Sequence, residues 1–338
     1  MESSKFTAAR SDLSPDSWDT HVHVFDASIG PFAPDRSYTP ARATAQQLLD
    51  FNSSLTQATP LNIVLVQPSP YGSDNTVLLR SMKSLREGGS RIVRGIAVMD
   101  IENISDASLM ELHEAGVRGL RINKQADGKS TDLESLKETI LQTASRIQYL
   151  PGWKIQLFCA PAMWEGETHF QLESEIEQRL KNETDLYDTI AALPVQVIAD
   201  HVGGMRALSK LQLNAATSRL DDPTKQPGFE ALIKLARASR VIVKLSGFYR
   251  LSDRTESGCD DMEPIAKALV EAVPHRLVWG SDWPHTGEGK DRVNRGLEAV
   301  EEFREIDDVR IIQNMRRWVE DEKAWMGLMV HNPAGFYA

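Results

Sequence analysis

Short apolar runs rich in β-branched residues alternate along this chain with stretches whose apolar positions recur every three or four residues. Eight runs read as strands, at residues 18–24, 61–67, 92–99, 117–123, 154–158, 195–201, 241–246 and 276–281. Most are apolar almost throughout, the pattern of strands covered on both faces. The stretches between them read as helices with recognisable ends. Thr131 and Glu134 form a capping box, and Gly116 is a stop after ASLMELHEA. Eight strand–helix alternations predict an α/β fold, a single (β/α)8 barrel over residues 18–338. Residues 1–17 are expected to be a disordered or extended segment. A doubly wound open sheet is the alternative that periodicity leaves open.

Connection lengths add to this. Those leading into strands are short: AG before Val117, PG before Trp153, SR before Val241. Those leaving strands are long, at 25–44, 202–228 and 247–262. In a parallel barrel all exit loops lie at the C-terminal ends of the strands, so a site is expected there.

Composition narrows the function classes. Among 338 residues, 38 Lys and Arg stand against 48 Asp and Glu, a formal net charge of −10. That balance argues against a nucleic-acid or anionic-membrane surface. Two cysteines, Cys159 and Cys259, exclude a disulfide scaffold and a CxxC centre. The polar N-terminus and the lack of a long apolar span predict no membrane association and a cytoplasmic setting. Gly-rich dinucleotide and phosphate loops, GxSxG and HExxH are all missing from the sequence.

The strand ends carry the candidate chemistry. Residues two apart share a strand face, so Asp19, His21 and His23 are expected on one face. The same alternation turns Arg121 and Asn123, and Lys244 and Ser246, into the barrel. His201 ends the sixth run, Asp282 follows the eighth, and His285 begins the exit loop beyond it. His113 and His169 read as surface residues. Histidines, an aspartate, an arginine and a lysine at the exit ends of different strands are a costly way to fill a core, which favours a catalytic reading.

The segments DTHVHVFD, VQPSPYGSDN, AGVRGLRIN, IADHVGGM, VKLSGFYRLS, WGSDWPH and NPAGFY, in this order, resemble the amidohydrolase superfamily. They are most similar to its subgroup typified by 2-pyrone-4,6-dicarboxylate lactonase. The resemblance implies a (β/α)8 hydrolase, in most members a lactonase. It implies that His21, His23, His201, Arg121 and Asp282 are catalytic, with Asp282 as general base and the others polarising a carbonyl. It implies that Tyr38, Ser69 and Arg250 contact substrate. Asn123, Lys244 and His285 are taken with them as substrate-binding.

Departures from the pattern shape the expectation. Gly204 stands where the subgroup carries an arginine, with Lys124 and Arg206 as nearby substitutes, so a less anionic lactone than the pyrone dicarboxylate is expected. Strand five offers Gln156 where firmly metal-binding members carry a histidine. The cofactor expectation is therefore none, or one weakly held divalent metal, zinc, on His21, His23, His201 and Asp282. A metal-dependent decarboxylase of a small unsaturated or aromatic acid is the alternative, and a non-catalytic ligand-binding barrel is the second. The expected partner is a small-molecule substrate, and a homo-oligomer stays open.

Overall fold

The structure of the protein, a computed structural model, describes residues 13–56, 61–123, 133–165, 186–211, 220–288, 292 and 296–337. Thr131 of the expected capping box, Lys124 and His169 lie outside these residues.

Eight parallel strands form one sheet in chain order: β1 (Trp18–Val22), β2 (Asn62–Val66), β3 (Val93–Ala97), β4 (Val117–Asn123), β5 (Lys154–Phe158), β6 (Val197–Ala199), β7 (Val241–Ser246) and β8 (Leu277–Gly280). All eight expected runs are strands, several shorter by a residue or two at each end. Each strand pairs with its successor, and β8 returns to β1. There the Thr20 hydroxyl donates to the Trp279 carbonyl at 2.6 Å, and the amide of Asp282 donates to the His21 carbonyl at 2.8 Å. This seam decides for the closed barrel over the open sheet.

Helices follow the strands in alternation: α1 (Ala45–Thr56), α2 (Thr76–Glu87), α3 (Asp106–Glu114), α4 (Leu133–Ile147), α5 (Tyr187–Ala192), α6 (Phe229–Arg237), α7 (Glu263–Ala272) and α8 (Asp308–Trp318). In α6 the buried residues are Phe229, Leu232, Ala236 and their neighbours, one stripe at helical spacing. Burying a leucine such as Leu232 contributes about 1.5–3 kcal/mol. Gly116 ends α3 as expected, with φ at +98°, a region open to glycine.

Two apolar layers result. Ile63 and Leu65 join the large cluster between strands and helices, while Val64, Val66, Ile96, Ile198, Ile242 and Val278 fill the barrel interior. The short C-terminal helix Asn332–Tyr337 plugs the end opposite the exit loops. Tyr337 stacks 6.1 Å from Trp18, Arg94 donates to its carbonyl, and Lys154 donates to the Phe336 carbonyl at 2.6 Å.

Residues 13–17, the described part of the N-terminal segment, pack on the barrel: Leu13 is buried, and the Ser17 carbonyl accepts from the amide of Asn62. One expectation needs correction. In β1, Asp19 pairs with Ile63 and Val22 with Leu65. Ile63 and Leu65 share the outer face, so an irregularity between Asp19 and Val22 reverses the alternation. Asp19 therefore faces away from His21 and His23. Its Oδ1 accepts from the amides of His21 and Ser281 instead.

Candidate active site

The exit ends of β1, β4, β5, β6, β7 and β8 converge on one buried polar cluster. Asp282 is its hinge. Asp282 Oδ2 accepts from Arg250 Nε at 2.6 Å and from the Tyr249 hydroxyl at 2.8 Å. Asp282 Oδ1 is buried without a hydrogen bond, 3.6 Å from Nε2 of both His21 and His23. Those two Nε2 atoms are 3.3 Å apart.

The imidazoles are held from behind. His23 Nδ1 lies 2.8 Å from the Val66 carbonyl, which can only accept, so Nδ1 carries the proton and Nε2 presents a lone pair. His201 Nδ1 meets the Ser246 hydroxyl at 3.0 Å. His21 Nδ1 faces Asp200 Oδ1 and Lys244 Nζ, each at 3.3 Å. Below it, Lys244 donates to Gln156 Oε1 and Gln156 Nε2 donates to Asp200 Oδ2, both at 2.9 Å. The glutamine amide thus bridges a buried lysine–aspartate pair.

Burial pulls all three imidazoles toward the neutral form, His201 to about 4, so they are uncharged at neutral pH. Burial alone would raise Asp282. Arg250, then His201 and the His23 contact, outweigh it and hold the carboxylate well below its usual range. Asp200 is held low in the same way, against burial, by Lys244 and His21. Burial keeps the Tyr249 phenol protonated, a neutral donor.

Local backbone makes this arrangement. His201, Val202 and Asp282 have φ of +49°, +56° and +65°, left-handed values that cost about 1–3 kcal/mol each and that turn the side chains off the strand ends. Gly247, at φ +58°, passes so close that a Cβ there would lie 2.6 Å from His201 Nδ1 and 3.1 Å from Asp282 Oδ2.

Above the cluster opens a cavity of about 540 Å³, with His23, Arg121 and His201 in its floor. Of the expected substrate-contact residues, Tyr38, Ser69, Asn123 and Arg250 also line it. Two members of that set sit elsewhere. Lys244 is fully buried beneath His21 and supports the cluster from below. His285 turns away to pair with Asp308 at 3.1 Å at the start of α8, because its left-handed φ of +69° redirects the chain after Asp282. Gly204 has φ +82°, and a Cβ there would stand 2.9 Å from the Cys159 carbonyl oxygen. An arginine has no room at that position.

Sequence reasoning missed Tyr249, Asp200 as a network member, and Arg292. Tyr249 lies beside Arg250 in an exit loop that carries no periodic signal. Arg292 pairs with Glu301 and lies 3.5 Å over the Tyr38 ring.

One ligand atom each from His21, His23 and Asp282, or from His21, Asp200 and His201, falls within 4.8 Å. The unbonded Asp282 Oδ1 and the lone pair on His23 Nε2 fit a divalent cation. Arg121, Lys244 and Arg250 face the carboxylates of Asp200 and Asp282, so positive charge already stands beside this cluster.

A family model described as Amidohydrolase matches residues 18–323. A 2-pyrone-4,6-dicarboxylate hydrolase of Comamonas testosteroni is 31% identical over 276 residues, 79% of this chain and 76% of that protein. A 4-sulfomuconolactone hydrolase of Rhizobium radiobacter is 28% identical over 95% of this chain and 89% of its own. The solved structure of a probable 2-pyrone-4,6-dicarboxylic acid hydrolase from Acinetobacter baumannii superposes with a TM-score of 0.63. Its identity is 20%, and the match covers 95% of this chain and 99% of that one.

Proposed function

The chain belongs to the amidohydrolase family, and on that premise we propose that it hydrolyses a small carboxylated lactone. The observation that carries this reading is the divided carboxylate of Asp282. One oxygen is fixed by Arg250 and Tyr249, while the other is unbonded beside two imidazoles under the cavity floor. Relatives named as hydrolases of a pyrone dicarboxylate and of a sulfomuconolactone support the same substrate class.

The chemistry follows from the positions. Asp282 Oδ1 takes a proton from a water that attacks the ring carbonyl carbon. A carboxylate held this low is a weak base, so orientation is its main asset: only one of its oxygens is open. Arg121, in the cavity floor, and the neutral His201 ring, through Nε2 when its Nδ1 accepts from Ser246, donate to the developing oxyanion. Collapse of the tetrahedral anion breaks the ring C–O bond. Asp282 returns the proton to the leaving oxygen, giving a hydroxy acid.

If a divalent cation is bound, His21, His23 and Asp282 would hold it, and it would supply Lewis acidity toward the ring carbonyl. The steps above are carried by the protein's own groups, so hydrolysis is expected to survive chelation. A pH-indicator screen of sugar lactones, muconolactones and pyrone carboxylates, with and without chelator, tests this. Ring opening that persists in chelator agrees with the proposal. Ring opening that needs added zinc would make the imidazoles ligands, and silence across the panel would remove the lactonase reading.

A further inference from the structure

Among the described residues, each strand whose exit reaches the cavity supplies it with a polar side chain, with one exception. Tyr38 comes from the connection after β1, Ser69 from that after β2, Arg121 from β4, and Arg206, Arg250 and Thr286 from the connections after β6, β7 and β8. The β5 exit contributes Phe158, Cys159, Ala160 and Pro161. Cys159 is buried in the apolar layer between strands and helices. Phe158, Ala160 and Pro161 are half-buried, so the side chains that this sector presents to the cavity are all apolar.

Phe158 stands apart from both apolar layers of the barrel. Its ring meets His201 edge to face instead, with centroids 4.9 Å apart and planes at 88°. A phenylalanine outside the core keeps apolar surface in water until something apolar covers it. The wall cannot fold back to cover itself. Gly204 packs on it so closely that a Cβ there would lie 2.9 Å from the Cys159 carbonyl oxygen and 3.2 Å from Pro161 Cδ. The buried Trp164 indole N–H ties the same segment to the Gly203 carbonyl at 2.9 Å. His201 and Arg121 stand in the cavity floor, so a ligand oxygen held between them brings the ligand's flank against Phe158. The cavity, at about 540 Å³, is in the range that takes drug-sized ligands, more than a bare lactone ring fills.

From this placement we infer that the β5 exit is an apolar specificity wall, on which Phe158 receives a hydrocarbon arm of the substrate. The ligand class is a compound with an oxygen-bearing end toward Arg121 and an alkyl or aryl arm toward Phe158, Ala160 and Pro161. That the oxygen-bearing end is a lactone carbonyl rests on the proposed function, but the preference of the wall does not depend on turnover.

The test is calorimetric binding of butanoate, hexanoate and octanoate, monocarboxylates that differ only in hydrocarbon length, to the wild type, Phe158→Ala, Phe158→Leu and Ala160→Asp. Full burial of a methylene tightens binding about fourfold, and contact on one side about twofold, so the wild type should gain roughly 15-fold from butanoate to octanoate. Phe158→Ala should cut that gain to about threefold, and Phe158→Leu should keep most of it. Ala160→Asp, which sets a charge on the wall, should abolish it. A wild type indifferent to chain length overturns the inference. So does a gain that persists undiminished in Phe158→Ala or in Ala160→Asp. Thermal unfolding of the variants at the wild-type temperature shows that the loss is local. A lactone screen run beside it fails separately: silence there with the length dependence intact removes the lactonase reading and leaves the wall.

Discussion

Arg250 Nε meets Asp282 Oδ2 at 2.6 Å, and the same carboxylate keeps Oδ1 free of any hydrogen bond. The arginine therefore both aims the base and holds it ionised. Arg250→Met removes the strongest influence that depresses Asp282 against burial, so the Asp282 pKa rises. The base must be deprotonated to act, so the acid limb of the kcat/KM profile moves to higher pH, with kcat down about 100-fold. Tyr249→Phe removes one hydrogen bond to the carboxylate and should cost about tenfold in kcat with a smaller shift. Profiles that stay in place in both variants contradict this role.

Lys244 and Asp200 form a pair with no exposed atoms. Replacing a well-solvated pair costs little, but breaking a buried one leaves a charge without compensation. Lys244→Met is expected to lower stability by about 3–5 kcal/mol. Adding Asp200→Asn to it should restore part of that loss, because the stranded charge is gone. Denaturant unfolding of the single and double variants measures the coupling, and strictly additive losses would contradict it.

Gly247 is required twice, by its left-handed backbone and by its closeness to His201. Gly247→Ala should cost roughly 1–2 kcal/mol in backbone strain alone. It should also displace the His201 ring and reduce kcat more than it raises KM. A fully active, equally stable alanine variant contradicts the close approach.

At the far end of the barrel, burial pulls the Lys154 ammonium down to about 8, aided by Arg276 and Arg118. Its unfolded value is higher, so between the two the unfolded chain binds more protons. Stability contributed by this group then rises with pH from about 8 upward. The melting temperature of the wild type should gain on that of Lys154→Met between pH 8 and 9.5. Parallel curves would contradict the shift.

The barrel was legible because β-branched apolar runs at regular intervals have few other uses, and His21, His23, Arg121, His201 and Asp282 stood at their exit ends. What was not legible depended on partners distant in sequence. The register of β1 against β2 turns Asp19 outward, and no pattern within WDTHVHV encodes it. Alternation turned Lys244 inward correctly but carried no depth, so its place beneath His21 rather than in the cavity appears only in three dimensions. His285 was lost to a local cause, the left-handed turn after Asp282.

The central claim is that Asp282 is the base of a ring-opening hydrolysis. Its most direct test is single-substrate kinetics of Asp282→Asn on whichever lactone the wild type opens, with circular dichroism confirming the fold. The account predicts a folded protein that binds the lactone and loses at least about a thousandfold in kcat. A folded Asp282→Asn protein that turns over at wild-type rate would contradict it.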